Sequence, residues 1–296
     1  MNLRILIGAA ELGLTFGVMA LGVFVTYRVL DFPDLTADGS ITLGAAVAAL
    51  LIGKGYSPWL GLSLAPFAGA LAGLVTGLLH TRLRVAPLLA GILTMTGLYS
   101  VNLRIMGRAN LPLLGTSTVA DALSSVGVPL QYQWLCFGLI LVSAVSWLLC
   151  KFFETELGLA LRATGDNPNM GRSQGIDVDG MKILGLCLGN ALIALAGAVV
   201  AQLQGFADMG MGVGTIVSGL AAVIIGETLL PAGTIPGSLL AVSLGSLFYR
   251  GVISLALRMG LRTTDLKLVT AVLVVVAMSL PKFGRAKGQS KVEEAV

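Results

Sequence analysis

Long apolar runs follow one another along almost the whole of this 296-residue chain, near 8–28, 40–53, 59–79, 86–104, 131–150, 182–204, 213–229, 235–257 and 266–281. A hydrocarbon core about 30 Å thick is crossed by about 20 residues of helix, since a helix rises ~1.5 Å per residue. Most of the runs are that long and are read as membrane-spanning helices. Composition agrees: 56% of the residues are hydrophobic and only 11% charged, where a soluble domain carries about a quarter. The expected fold class is an all-α polytopic integral membrane protein with about 8–10 transmembrane helices, some short or broken. Residues 1–282 read as one transmembrane domain, and 283–296 as a polar, basic, disordered cytoplasmic tail. The run at 40–53 is short for a crossing, so it is a half-helix or a tilted span enclosed by protein.

One long polar stretch, 153–181, interrupts the apolar runs. It opens with Glu154 and Glu156 and later carries Arg162, Asp166, Arg172, Asp177 and Asp179. Asp166-Asn167-Pro168 supplies a capping side chain and then a proline at the first helical position, where its missing N–H costs nothing. Gly175 is placed to end that helix in the left-handed conformation. The spacing predicts about two turns over 168–174, too short to be stable alone in water. Such a helix is useful as something a partner grips, although capping alone fits an ordinary solvated loop equally well.

The turn at 80–85, the 151–182 stretch and the tail hold ten of the 19 Lys and Arg residues. The positive-inside rule therefore places these three segments in the cytoplasm, while Arg104, Arg108, Arg258, Arg262 and Lys267 fall outside. The side of the amino terminus depends on whether 40–53 crosses. A weak internal repeat pairs DGSITLGAAVAALLIGKG (38–55) with GVGTIVSGLAAVIIGETL (212–229). By the span count the copies point in opposite directions, the signature of an inverted repeat with a transport pathway between its halves. Chance similarity among Gly- and Ala-rich helices is the rival explanation. Gly69, Gly73 and Gly77 form a small-residue stripe for close helix packing.

Several chemistries are excluded or left without residues. No G-x-x-x-x-G-K-[ST] loop is present to cradle phosphates. His80 is the single histidine, and Cys136, Cys150 and Cys187 lie in apolar segments without metal-ligand spacing. Neither a metal site nor a catalytic residue is expected, so the chain is read as no enzyme. The net charge of +4 fits membrane orientation and not nucleic-acid binding. A secondary ion-coupled transporter is the alternative, but it would need paired titratable groups in mid-membrane. Polar residues at span ends are the candidate solute contacts: Thr36, Asp38 and Ser40 at the first half-helix, where Asp38 or Ser40 could equally cap it, and Glu227 at a helix end. Arg250 either serves the pathway or snorkels to the outer interface.

TELGLALRATGDNPNMGRSQGI (155–176) resembles the cytoplasmic coupling motif of ABC-importer permeases, in the branch that includes the branched-chain amino acid and ribose permeases. Gly158, Arg162, Ala163, Gly165, Asn167, Pro168, Arg172, Gly175 and Ile176 occupy the motif positions, with Gly171 where an alanine is common. DLTADGSITLGAAVAA (34–49) and LAAVIIGE (220–227) are similar to the family's two pore-helix segments, and the second half looks closest to permeases linked with tryptophan or related amino acids. The resemblance implies a permease subunit in the bacterial plasma membrane, importing an amino acid or similar small polar solute. It also implies its partners: a cytoplasmic ATP-binding subunit that uses the ATP, an extracytoplasmic substrate-binding protein, and a second permease copy as a homodimer in membrane lipid. The chain itself would bind no cofactor.

Overall fold

A computed structural model describes residues 3–121, 127–231, 233–260 and 268–275. Helix α1 (Leu3–Val23) runs on through a π-helical turn (Phe24–Val29), and α2 is Thr36–Gly53. They are followed by α3 (Pro58–Thr81), α4 (Pro87–Met106), strand β1 (Asn110–Pro112) and α5 (Gln133–Glu154). Next come α6 (Glu156–Asp166), α7 (Pro168–Ser173), α8 (Val178–Gln204), strand β2 (Phe206–Asp208), α9 (Thr215–Leu229) and α10 (Ile235–Arg258). Residues 268–275 are helical too. Seven of the described helices are long and apolar enough to cross a membrane, and α9 is a shorter apolar one. The start of α3, α4, α7 and α10 each carries a proline in its first turn, where the helix has no use for the N–H.

Two expectations change in detail. The polar stretch holds two helices, α6 and α7, instead of one. The connection after α4 contributes β1, which pairs antiparallel with β2 (Asn110 opposite Asp208, Pro112 opposite Phe206), so a two-stranded ribbon sits on an otherwise helical molecule. In the same connection residues 119–121 form a single 3-10 turn, and 122–126 lie outside the described residues. The outer parts of the 266–281 span and the tail at 283–296 also lie outside them.

The centre of the molecule is α8. The Gly69/Gly73/Gly77 stripe of α3 lies against Asn190, Leu186 and Ile183 of α8, so close that a Cβ on Gly73 would overlap the Leu186 carbonyl. Small residues are needed there because lipid gives helices no hydrophobic reason to associate, and close packing has to supply it. On its other side α8 holds α2: Gly44 lies on the Ala194 carbonyl and Gly197 on that of Ile41. Helix α2 is thereby almost wholly enclosed, which is how an 18-residue helix lives at membrane depth without crossing alone.

The two repeat copies, α2 and α9, run in opposite directions. Helix α2 ends at Gly53, beside the start of α3, and α3 returns to end at Thr81 near the beginning of α8. Helix α9 ends instead at Leu229, and Glu227 in its last turn meets Arg28 at the end of α1, in a cleft shared with Arg162 and Asp166 of α6. One half-helix points away from the α6–α7 end of the molecule and the other towards it. Their amino ends meet.

Candidate functional site

The polar stretch folds into a jointed pair of helices fixed to the transmembrane body. Thr155 caps α6 by accepting the Gly158 N–H at 3.3 Å. Gly158 itself lies against the last carbonyls of α5, and Gly165 against the Val29 carbonyl at the end of α1, with no room for a side chain at either. Leu161 is fully buried and packs on Gly185 of α8, while Ala163 is half-buried and its carbonyl accepts the Asn167 N–H at 3.1 Å. Arg162 faces outward into the open cleft of about 570 Å³ that also holds Arg28, Asp166 and Glu227.

At the joint, Asn167 caps α7: its Oδ1 accepts the N–H groups of Asn169 (3.1 Å) and Met170 (3.0 Å), with Pro168 next in the helix. The far end closes as a Schellman turn. Ile176 N–H donates to the Gly171 carbonyl at 3.0 Å, Gly175 N–H to that of Arg172 at 3.1 Å, and Gly175 takes φ +82°. A residue with a Cβ would be strained there. Gly171 is buried against Val178, Met170 is exposed at the helix surface, and Arg172 reaches Asp179 of α8 at 3.2 Å. Six residues of helix therefore have both ends satisfied before any partner arrives.

The second constellation lies where the half-helices meet. Asp38, in the first turn of α2, caps α9: its carboxylate accepts the N–H groups of Gly214 and Ile216, each at 2.8 Å, and the Thr215 hydroxyl at 3.0 Å. A carboxylate on the positive end of a helix is stabilising twice over, by hydrogen bonds and by the dipole. The expected cap of α2 thus serves the other half-helix, and neither Asp38 nor Ser40 caps α2. Asp34 takes that place, accepting the Thr36 N–H at 2.9 Å. Its other oxygen accepts Asn190 Nδ2 at 2.6 Å, and Asn190 Oδ1 accepts the Ser40 hydroxyl at 2.6 Å. Thr36 is buried and bonded to Thr76 at 2.7 Å, which bonds in turn to Thr94 at 2.9 Å. Asn190 stands twelve residues into α8, about 18 Å along it and hence near mid-membrane.

Beside Asp38 a pocket of about 340 Å³ opens between α2, α4 and the loop into α9. Met95, Tyr99, Met209 and Val213 give it an apolar wall. Asn102 donates to the Gly39 carbonyl at 3.2 Å, and its buried Oδ1 has no hydrogen-bond partner among the described residues.

The family described as the permease component of the branched-chain amino acid transport system matches residues 5–279. The chain belongs to that family. It is the permease subunit of an ABC importer and a multi-pass protein of the bacterial inner membrane. The tyrosine transport system permease protein of Clostridioides difficile is 43% identical over 263 residues, 88% of this chain and 86% of that protein. The autoinducer 2 import system permease protein LsrC of Escherichia coli is 30% identical over 214 residues, 71% of this chain and 60% of that protein. Among solved structures, PsaBC from Streptococcus pneumoniae in complex with Fab superposes with a TM-score of 0.52, covering 93% of this chain and 89% of that one at 16% identity, a likeness of fold.

In the permease, the sequence-derived residues fall into four places. The motif residues 158–176 assemble into one unit. Of the pathway candidates, Asp38 lines a pocket, whereas Thr36 and Ser40 are fully buried in the polar network. Glu227 pairs with Arg28 at 2.7 Å, away from that pocket. Arg250 does not snorkel: its guanidinium lies 3.5 Å over the Phe16 ring, and its buried Nε has no hydrogen-bond partner among the described residues. A cation on an aromatic face is stabilised without an acid. Asp34, Asn190 and Asn102 were missed by the sequence reading. The available signal was simple: Asn102 and Asn190 are amides inside apolar runs, where polar groups are expensive.

Proposed function

We propose that α6 and α7 form the surface through which a cytoplasmic ATP-binding subunit drives this permease, and that the solute it passes is an amino acid, aromatic in class. The observation that supports the first part is the capped α7 standing on α6, which is wedged by Gly158 and Gly165 against α5 and α1. A push on Met170 or Arg172 is transmitted to transmembrane helices and not absorbed by a loop. The cleft beside α6 links the same unit to α9 through Arg28 and Glu227. ATP is bound and spent by the partner, and this chain contributes no cofactor. The seam of α2 and α9 is the moving part, because packed helices with two arrangements are how such pushes become opening and closing.

The pathway in this reading includes the pocket beside Asp38, with Thr36 and Ser40 fixing α2 behind it, Glu227 at the exit side and Arg250 on the far side. The pocket has an apolar wall with an unsatisfied acceptor in Asn102, which suits a ring with polar ends, and the Clostridioides relative is named for tyrosine transport. Its open side carries Tyr99, 58% exposed, and Val213, 62% exposed. A second copy of the permease covers that side, and a substrate-binding protein delivers the solute to the face opposite α7.

The test is co-purification with the cognate ATP-binding subunit, followed by uptake in proteoliposomes with the binding protein supplied. Wild type is expected to hold the ATPase subunit and take up tyrosine in preference to leucine, whereas Arg172→Glu with Gly171→Pro loses association. Uptake driven by an ion gradient without the ATPase would overturn the coupling role. Normal coupling with no aromatic preference would overturn only the substrate.

A further inference from the structure

At the α6–α7 end, an open cleft of about 540 Å³ lies between the end of α3 and the start of α8. It is lined by His80, Thr81, Arg84, Arg172, Asp179 and Lys182. Asp179 is the single acid in that lining, and it is paired with Arg172 at 3.2 Å. The other contacts leave positive charge unmatched. His80 Nδ1 lies 2.9 Å from the Val85 carbonyl, which can only accept, so Nδ1 carries the proton. Its Nε2 is then the acceptor for Lys182 Nζ at 3.1 Å. Lys182 thus spends one of three N–H donors on an imidazole and has no acid partner among the described residues. Thr81 gives its hydroxyl proton to the Gly77 carbonyl at 2.8 Å and can only accept.

Arg84 makes no hydrogen bond or ion pair among the described residues, and it takes φ +55°. That left-handed conformation is uncommon outside glycine. It persists where surrounding structure imposes it, often at a ligand site.

The surroundings of the cleft are apolar and outward-facing. Leu83 is 68% exposed next to Arg84. Phe67, Leu71 and Leu78 of α3, all exposed, fall on one stripe leading away from the cleft along the helix. In a membrane protein such a stripe meets acyl chains, and the cleft sits at the depth of headgroups. We propose that this cleft binds the phosphodiester headgroup of an anionic phospholipid in the leaflet on the α6–α7 side, held by Arg84 and Lys182, with its acyl chains along the Phe67–Leu71–Leu78 face of α3. Basic pockets between transmembrane helices are recognised lipid sites for the same reason: the phosphate finds fixed donors, and the tails stay in hydrocarbon. Arg172 places the bound headgroup one side chain from α7, so the lipid would steady the helix that the ATP-binding subunit grips. The lipid site itself stands without that coupling role.

The experiment is native mass spectrometry of the purified full-length chain, released from micelles containing equal phosphatidylglycerol, phosphatidylethanolamine and phosphatidylcholine. Wild type is expected to retain one phosphatidylglycerol in preference to the other two. Arg84→Gly removes the charge and relaxes the backbone, so it folds at least as well, and retention should fall about fivefold. Adding Lys182→Gln should bring the fall to about thirtyfold, from about 1 kcal/mol per cation near a charged surface. Arg104→Gln with Arg108→Gln, at the opposite end, should change nothing. Parallel arms with inorganic phosphate and glycerol 3-phosphate separate the sources. Displacement of the lipid by either at millimolar concentration would mean a free-phosphate site and overturn the proposal. So would equal retention in wild type and Arg84→Gly. Should the double variant unfold, judged by its melting in phosphatidylcholine alone, the Arg84→Gly result decides.

Discussion

Helices α2 and α9 have similar sequences, yet only one of them carries its own start. Asp34, two residues before α2, satisfies the first N–H of that helix. The residues leading into α9 are Gly210, Met211, Gly212, Val213 and Gly214, which offer no side-chain acceptor at all. Its amino end is closed by Asp38 from the other half of the molecule. Helix α2 is gripped by α3 and α8 and is almost fully buried, while α9 packs on α10 and α1 and keeps more surface open. Similar residues thus make one fixed half-helix and one dependent half-helix. The dependent one is also the one joined to the α6 cleft, through Glu227 and Arg28.

The strongest way to break this contrast is at the fixed helix. Gly44→Leu forces a side chain into the Ala194 backbone, an overpacking expected to cost about 3 kcal/mol or more and to leave little monodisperse protein in detergent. Gly53→Leu, at the open end of the same helix, should stay within about 0.5 kcal/mol, and equal losses for both would show that α2 is not gripped where the contacts say. Next, Asp38→Ala should cost about 1–2 kcal/mol, from the lost cap and dipole partner. Hydrogen exchange should rise at the amides of 214–218 but not through 40–50; a rise in both would make the two helices one unit. Gly171→Ala has room for its methyl beside Val178 and should stabilise α7 by about 1 kcal/mol, read as slower exchange at 171–174 with the half-helices unchanged. The smallest effect on stability belongs to Glu227→Gln. The pair it breaks is exposed, 61% for Arg28 and 35% for Glu227, so the melting shift corresponds to less than about 1 kcal/mol. ATP-driven uptake should fall nonetheless, and unchanged uptake would detach α9 from the α6 cleft.

The helices were legible in the sequence because their signals are local: apolar length, prolines at first turns, Asn167 before Pro168 and Gly175 after the last turn of α7. Helix α6 was missed because the motif residues 155–166 read as loop, and the fully buried Leu161 that anchors it packs on Gly185 of the distant α8. The seam was legible in outline, as a repeat with opposed copies. Its chemistry was not, because Asp38 and Ile216 are 178 residues apart and Asp34 and Asn190 are 156 apart. A carboxylate four residues from another looks like an equally good cap for the nearest helix, and only the packing of α8 decides which one turns away. The β1–β2 ribbon is the same case, three residues on each side with no strand signal of their own.

The shared carboxylate also bears on how the chain is made. Asp38 enters the membrane with the first half, whereas Gly214, the nearer of its backbone partners, is 176 residues later. At about 5–20 residues per second of synthesis, that is on the order of 10–35 s during which the Asp38 carboxyl waits without those partners. A ribosome stalled before residue 214 leaves a fragment in which Asp38 lacks every donor that closes it in the fold. Three donors within residues 214–216 close that carboxylate, so the first half holds its acid as in the folded permease only after α9 has arrived.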